Sequence, residues 1–312
     1  MEDTRALLQK ADAFNKKINA NGKKNSYRGS QPVKARERKG MAASTMKVLV
    51  IISLFLQSLN IVVMDPFLDV ESVGKSLEPV AEGFKAVFTP EWRLSANSMY
   101  KDAITAFFDA KAGAWTMYLV FSIVGSFAVP LLCFVVLQEF LTSENKRNDV
   151  LIFGMFAIAS EIPYDLAMKG QFLEYTTQNM FVGIFLGLLV VWAMDTISNK
   201  MMRSAFIKYF VSMQVFLLGI LMAIITKTYF FIFPVLIIVC MYIFREKKML
   251  GPVIGCFAMT TVSPYYLCSF VSLIPINMFN GKIEKKLKYM LPIFYPVHLL
   301  ILFIIAKCMN LK

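Results

Sequence analysis

His298 is the only histidine in the 312-residue chain, and it stands inside "MLPIFYPVHLLILF" (residues 290–303), an apolar run long enough to lie within a membrane. A neutral imidazole at that depth is a proton acceptor, because burial disfavours its charged form. A histidine that only hydrogen-bonds between helices fits the same description. The second candidate is "ASEIPYDLA" at 159–167, where Glu161 and Asp165 are four apart on one helical face, flanking Tyr164. Pro163 between them is expected to loosen the local backbone. Two carboxylates at that spacing either share a proton or a cation, or are solvated acids at a kinked helix end. In "TTQNMF", Gln178 and Asn179 open the next apolar run, where amides cap a helix or hydrogen-bond a substrate. Cys133, Cys240, Cys256, Cys268 and Cys308 show no C-x-x-C spacing. With one histidine in the chain, neither a metal cluster nor a disulfide framework is indicated.

These groups need elements to hold them, and composition identifies the solvent around those elements. Hydrophobic residues make up 57% of the chain, with 28 Phe and 20 Met, more than a water-soluble core of this length buries. The expected fold is all-α, a polytopic transmembrane helical bundle of about nine spans. Apolar runs lie at 47–64, 115–141, 150–167, 179–195, 206–226, 228–244, 251–263, 264–279 and 289–308. The seventh and eighth are read as short or re-entrant segments broken near Pro264. A single helix there would put the basic stretches "REKKM" and "NGKIEKKLK" on opposite sides, whereas cytoplasmic connectors collect Lys and Arg. With the amino terminus inside, the connectors at 143, 198, 245 and 280 all fall in the cytoplasm. The long connector at 65–112 falls outside, with eight acidic and five basic residues and two amphipathic stretches that suit the outer interface.

The formal charge of +12 is concentrated at one end, since twelve of the 33 basic residues lie in the first 47 positions against four acidic ones. Residues 1–45 read as a basic flexible cytoplasmic arm, and 46–312 as the membrane domain. A positive-inside anchor accounts for the charge better than nucleic-acid binding. "MKVLVIISLFLQSLNIVV", from Met46, has the look of a secretory signal, but its apolar part is too long and follows a 45-residue arm, so it reads as the first span.

Five stretches in order, "GSFAVPLLCFVVLQEF" at 125, "SEIPYDLA" at 160, "QNMFVGIFLGLLVVW" at 178, "NGK" at 280 and "KLKYMLPIFYPVHLL" at 286, resemble the TraX family of membrane proteins over about residues 46–308. That family is associated with acetylation of the amino terminus of conjugative pilin and is related to bacterial membrane acyltransferases. The resemblance implies a bacterial plasma membrane, acetyl-CoA or another acyl-CoA as co-substrate, no metal, and a membrane peptide or pilin-like partner besides the lipid bilayer. It also implies a first span running from a basic residue across ten positions to an Asp-His pair. Here Lys47 is followed at that spacing by Gln57 and Ser58. Ser126 stands for the family's arginine, and Gln138 for a glutamate.

Neither glutamine nor an unassisted serine replaces an imidazole as general base, a loss worth about 10²–10⁴ in rate. His298 could take over that role, with Ser58 as a transient acyl carrier, if the first and last spans pack together. Tyr295, Glu161, Tyr164, Asp165, Gln178 and Asn179 would then line the acceptor site, and Lys47 and Lys282 would hold the acyl-CoA. Two alternatives remain open: a catalytically silent scaffold that binds a peptide or partner protein, and a small transporter using Glu161 and Asp165.

Overall fold

The computed structural model describes residues 40–69, 112–198, 205–261, 264–284 and 287–311. The basic arm up to residue 39 and nearly all of the 65–112 connector, with its amphipathic stretches, lie outside the described residues. Nine helices are seen among the described residues, and five are long and apolar enough to cross a membrane: α1 (Ala43–Leu68), α2 (Gly113–Leu141), α3 (Lys146–Lys169), α5 (Ala205–Ile225) and α9 (Met290–Cys308). Four shorter apolar helices complete the set, α4 (Met180–Thr196), α6 (Phe233–Ile243), α7 (Leu250–Thr260) and α8 (Tyr266–Met278). The protein is a multi-pass membrane protein.

The long helices are interrupted where polar residues compete for backbone groups. Helix α3 bends at Ser160, whose hydroxyl donates to the Phe156 carbonyl at 2.6 Å. Pro163 is not the hinge. It occupies the first turn of the segment Glu161–Lys169, where its missing N–H would have had no helical partner. Helix α2 breaks at Ser126, which donates to the Ile123 carbonyl at 2.7 Å. Within α1, residues Asn60–Met64 form a π-helical turn.

Polar contacts gather the basic connectors on one face. Lys146 meets Asp195 at 2.7 Å, and the Tyr242 hydroxyl donates to the other Asp195 oxygen at 3.2 Å. Lys288 pairs with Asp149, and Lys47 pairs with Glu139 and donates to the Leu287 carbonyl. The ends at 142–146, 195–198, 242–248, 280–284 and 287–288 therefore share a side, as their charge predicts. On the opposite face, Gln178 exchanges backbone hydrogen bonds with Lys227 (3.0 Å) and Tyr229 (2.8 Å).

Helices α7 and α8 form a hairpin. With 11 residues, α7 rises about 16 Å, half of a hydrocarbon core of about 30 Å. Lys248, just before it, donates to the carbonyls of Asn277 (2.5 Å) and Phe279 (3.0 Å), at the end of α8. The chain thus enters and returns on the same face, in keeping with the short or re-entrant reading, and Cys256 ties the two arms through the Ser269 carbonyl at 3.4 Å.

Helix α4 is the interior element, packed by α3, α5 and α6 and buried along Phe181, Ile184, Leu188 and Val191. Helix α5 is its converse, with only 11% of its apolar window buried. Such an all-round apolar helix needs lipid as its solvent.

Candidate functional site

Two helical stripes face each other across α1 and α9. On α1, Lys47, Val50, Leu54 and Ser58 are buried at helical spacing, and on α9 so are Leu291, Tyr295, His298 and Leu302. The stripes bring Ser58 and His298 together: Ser58 Oγ lies 3.0 Å from His298 Nε2. The other ring nitrogen, Nδ1, lies 3.0 Å from the Phe294 carbonyl one turn back. A carbonyl only accepts, so Nδ1 carries the proton of the neutral ring. Nε2 then offers its lone pair, and the Ser58 hydroxyl donates to it. The imidazole is fixed further by parallel stacking on Phe294, with centroids 4.6 Å apart. Both side chains are buried, Ser58 to 6% and His298 to 2% exposure.

This is a nucleophile–base pair with the base oriented by a third group, here a backbone carbonyl. The π-helical turn begins two residues past Ser58, and such turns recur at functional sites because they re-aim side chains. Asn60, its first residue, donates to Ser122 Oγ at 2.7 Å and to the Tyr118 carbonyl at 3.2 Å, clamping α1 to α2. Sequence reasoning passed over Asn60, although an amide within an apolar run was the available signal. Gln57 faces another way, donating to the Tyr266 hydroxyl at 3.2 Å.

The acidic pair lies next door. Helix α9 packs on the second half of α3 as well as on α1, and Tyr295 is the link: its ring stacks on Phe181 at 4.1 Å and lies 5.6 Å from the His298 ring. Glu161 Oε1 accepts from the Asn179 amide (3.0 Å) and from Asn179 Nδ2 (2.8 Å), while Asn179 Oδ1 accepts from the Phe181 amide at 2.8 Å and so caps α4. Asp165 Oδ2 accepts from the Glu174 amide at 2.9 Å. Glu161 Oε2 and Asp165 Oδ1 are buried without a hydrogen-bond partner. Tyr164 is buried, edge-on to Tyr229 at 6.0 Å. Gln178 contributes its backbone to the strand-like bridge with Thr228. Of the two readings of the amides, capping is the one Asn179 performs. The acids are not freely solvated, since Asp165 is 1% exposed.

The two lysines expected to hold a co-substrate have different surroundings. Lys47 is buried and engaged with Glu139 and the Leu287 carbonyl. Lys282 is exposed on the connector after α8, next to Ile283. Ile283 lines an open cleft on the basic-connector face, together with Glu139, Glu144, Asp149, Glu284 and Lys288, with about 850 Å³ of empty space, solvent included. A narrower extension of about 440 Å³ reaches down to Phe153, Leu188 and Pro292. Pro292 precedes His298 by about 9 Å of helical rise. Among the described residues no group of three or more His, Cys, Asp or Glu is arranged to hold a metal ion.

The sequence model of the TraX protein family matches residues 91–306. The chain belongs to the TraX family. The match covers the acidic pair, Asn179, Tyr295 and His298, but begins after α1, so Lys47, Gln57 and Ser58 lie outside the part that TraX proteins are matched on. No curated protein sequence and no solved structure matches the chain. The TraX membership therefore rests on the helices from α2 onward, and the partner of His298 comes from outside them.

Proposed function

We propose that this TraX protein is a membrane acyltransferase that moves an acyl group from acyl-CoA to an acceptor amine by way of Ser58. The observation that carries this reading is the 3.0 Å contact of Ser58 Oγ with His298 Nε2, with Nδ1 occupied by the Phe294 carbonyl. In the first half-reaction the Ser58 oxygen attacks the thioester carbonyl while His298 Nε2 takes the hydroxyl proton. The carbon–sulfur bond breaks, and the imidazolium returns that proton to the departing thiolate. In the second, His298 deprotonates the acceptor amine as it attacks the acyl-serine, and the proton goes back to Ser58 as the ester bond breaks. The basic-connector face, taken as cytoplasmic by its Lys and Arg content, would admit the acyl-CoA through the cleft that narrows toward Pro292. The acceptor would approach from the Glu161, Tyr164, Asp165, Gln178 and Asn179 side. The test is transfer from labelled acetyl-CoA, with trapping of the label on Ser58. Protein carrying His298→Ala should lose the trapped ester, and full labelling in that variant would refute the mechanism.

A second reading, a TraX-fold scaffold that binds a peptide or pilin-like protein without turnover, draws on the charges of the cleft. Its wide part is lined by four carboxylates, those of Glu139, Glu144, Asp149 and Glu284, against the single Lys288, a poor setting for the phosphates of CoA. Co-purification of a partner with no labelled ester under any condition would select it.

A further inference from the structure

A third recess, remote from Ser58 and His298, lies on the basic-connector face where α4 and α6 end and α5 begins, and it opens to solvent with about 1110 Å³ of empty space, solvent included. It is lined by the polar Lys208, Arg245, Ser198, Tyr209 and Ser212 and by the apolar Met194, Met213 and Phe216. One carboxylate, Glu246, also borders it. We infer that this groove binds an anionic diacyl phospholipid, its phosphate between Lys208 and Arg245 and its acyl chains along α5.

The cations are positioned by the fold. Arg245 stacks over the Tyr242 ring, its guanidinium carbon 4.5 Å from the centroid, and spends one donor on the Tyr242 carbonyl at 3.3 Å. Tyr242 is itself buried, and Asp195 holds its hydroxyl at 3.2 Å while pairing with Lys146. The guanidinium therefore rests on a braced ring, with N–H groups left for a ligand. Lys208 donates to the Ser198 carbonyl at 3.4 Å, which leaves two ammonium hydrogens. Two oriented cations with hydroxyls beside them match a phosphodiester.

The apolar side selects a lipid as the source of that phosphate. Towards the lipid core the stripe of α5 continues with Met213, Leu217 and Leu221, each exposed at 50% or more. A ligand held by its phosphate at the groove can lay hydrocarbon along that face, and a free phosphate gains nothing from it. Basic recesses between membrane helices near an anionic leaflet are favourable headgroup sites, each nearby cation adding about tenfold or less in affinity. The inference does not depend on acyl transfer.

The experiment uses the full chain in nanodiscs of equal parts phosphatidylglycerol and phosphatidylcholine, extracted into detergent, with retained lipids counted by native mass spectrometry. Wild-type protein should keep phosphatidylglycerol in preference to phosphatidylcholine. Lys208→Gln with Arg245→Gln should weaken that retention about thirtyfold, and the control Lys247→Gln, at an exposed position outside the groove, should not. Equal retention of the two lipids by the wild type, a comparison that needs no variant, would overturn the assignment. So would an unchanged double variant, or inorganic phosphate that displaces the lipid at low millimolar concentration, which would make this a free-phosphate site.

Discussion

Asn179 holds Glu161 twice on the same carboxylate oxygen, through its backbone amide at 3.0 Å and its side-chain Nδ2 at 2.8 Å. It also donates to the Ala157 carbonyl at 2.8 Å and caps α4. One buried amide thus joins the bend of α3 to the start of α4, beside the aromatic ring that touches His298.

Replacing that residue should be costly. Asn179→Ala removes a helix cap and takes the side-chain donor from Glu161 Oε1, leaving it only the backbone amide, together about 2–4 kcal/mol. We expect the melting temperature in detergent to fall by several degrees. Glu161→Gln, which keeps an acceptor at the same place, should fall much less, and equal losses for the two would refute the pairing.

Lys47 and Glu139 test whether the lysine is structural. With Lys47 at 1% and Glu139 at 11% side-chain exposure, Lys47→Ala strands a carboxylate and should destabilise by about 3–5 kcal/mol. Lys47→Met combined with Glu139→Gln should recover most of that loss. Chemical denaturation of the three proteins measures the difference, and a double variant as weak as the single one would contradict the pairing.

Gly125 controls the approach of α2 to the Ser58 turn. A methyl group there would sit 2.8 Å from Gln57 Cβ and 3.1 Å from its Cα. Backbone must therefore move, and Gly125→Ala should cost about 1–3 kcal/mol. If Ser58 forms the acyl ester, trapping should fall with it. Gly113→Ala, with nothing within 4 Å, is the matched control, expected to change neither stability nor trapping.

Acid should loosen the 169–176 loop. The Lys169 ammonium, 2.8 Å from Glu174, and the Thr176 hydroxyl hold the Glu174 carboxyl down at about 2, from an ordinary 4.5. A folded-state value below the unfolded one stabilises at pH above the unfolded value. That contribution fades as pH falls from about 4.5 through about 2. The protection of the Thr176 amide against hydrogen exchange, relative to an unstructured amide at the same pH, should fall across that window, since this amide donates to Glu174 at 3.0 Å, and Lys169→Ala should move the onset to higher pH.

The apolar runs were legible because a membrane helix shows itself by hydropathy alone, and each of the nine has its helix among the described residues. For Ser58 and His298 only equal depth was legible, about ten residues from basic ends, which permits contact if their helices are neighbours; the 3.0 Å approach supplies that condition. What pairs laterally was not. Lys146 with Asp195 and Tyr242, or Lys47 with Glu139, requires knowing which helices are neighbours, and hydropathy carries no such information. The bend of α3 was assigned to Pro163 because proline disrupts helix interiors. It lies at Ser160 instead, since a helix that restarts at Glu161 puts that proline in its tolerant first turn.

The interior helix α4 has one more consequence. From Asn179 to Asp195 its polar ends are about 24 Å apart, against about 30 Å for a lipid core. Where a membrane voltage falls over that shorter distance instead of the full core, the electric field along this axis is steeper by about a quarter. A charge driven from the Glu161 end to the Asp195 end would cross nearly the whole potential beside a single short helix, exchanging about 2.3 kcal/mol per 100 mV with the membrane's electrical store.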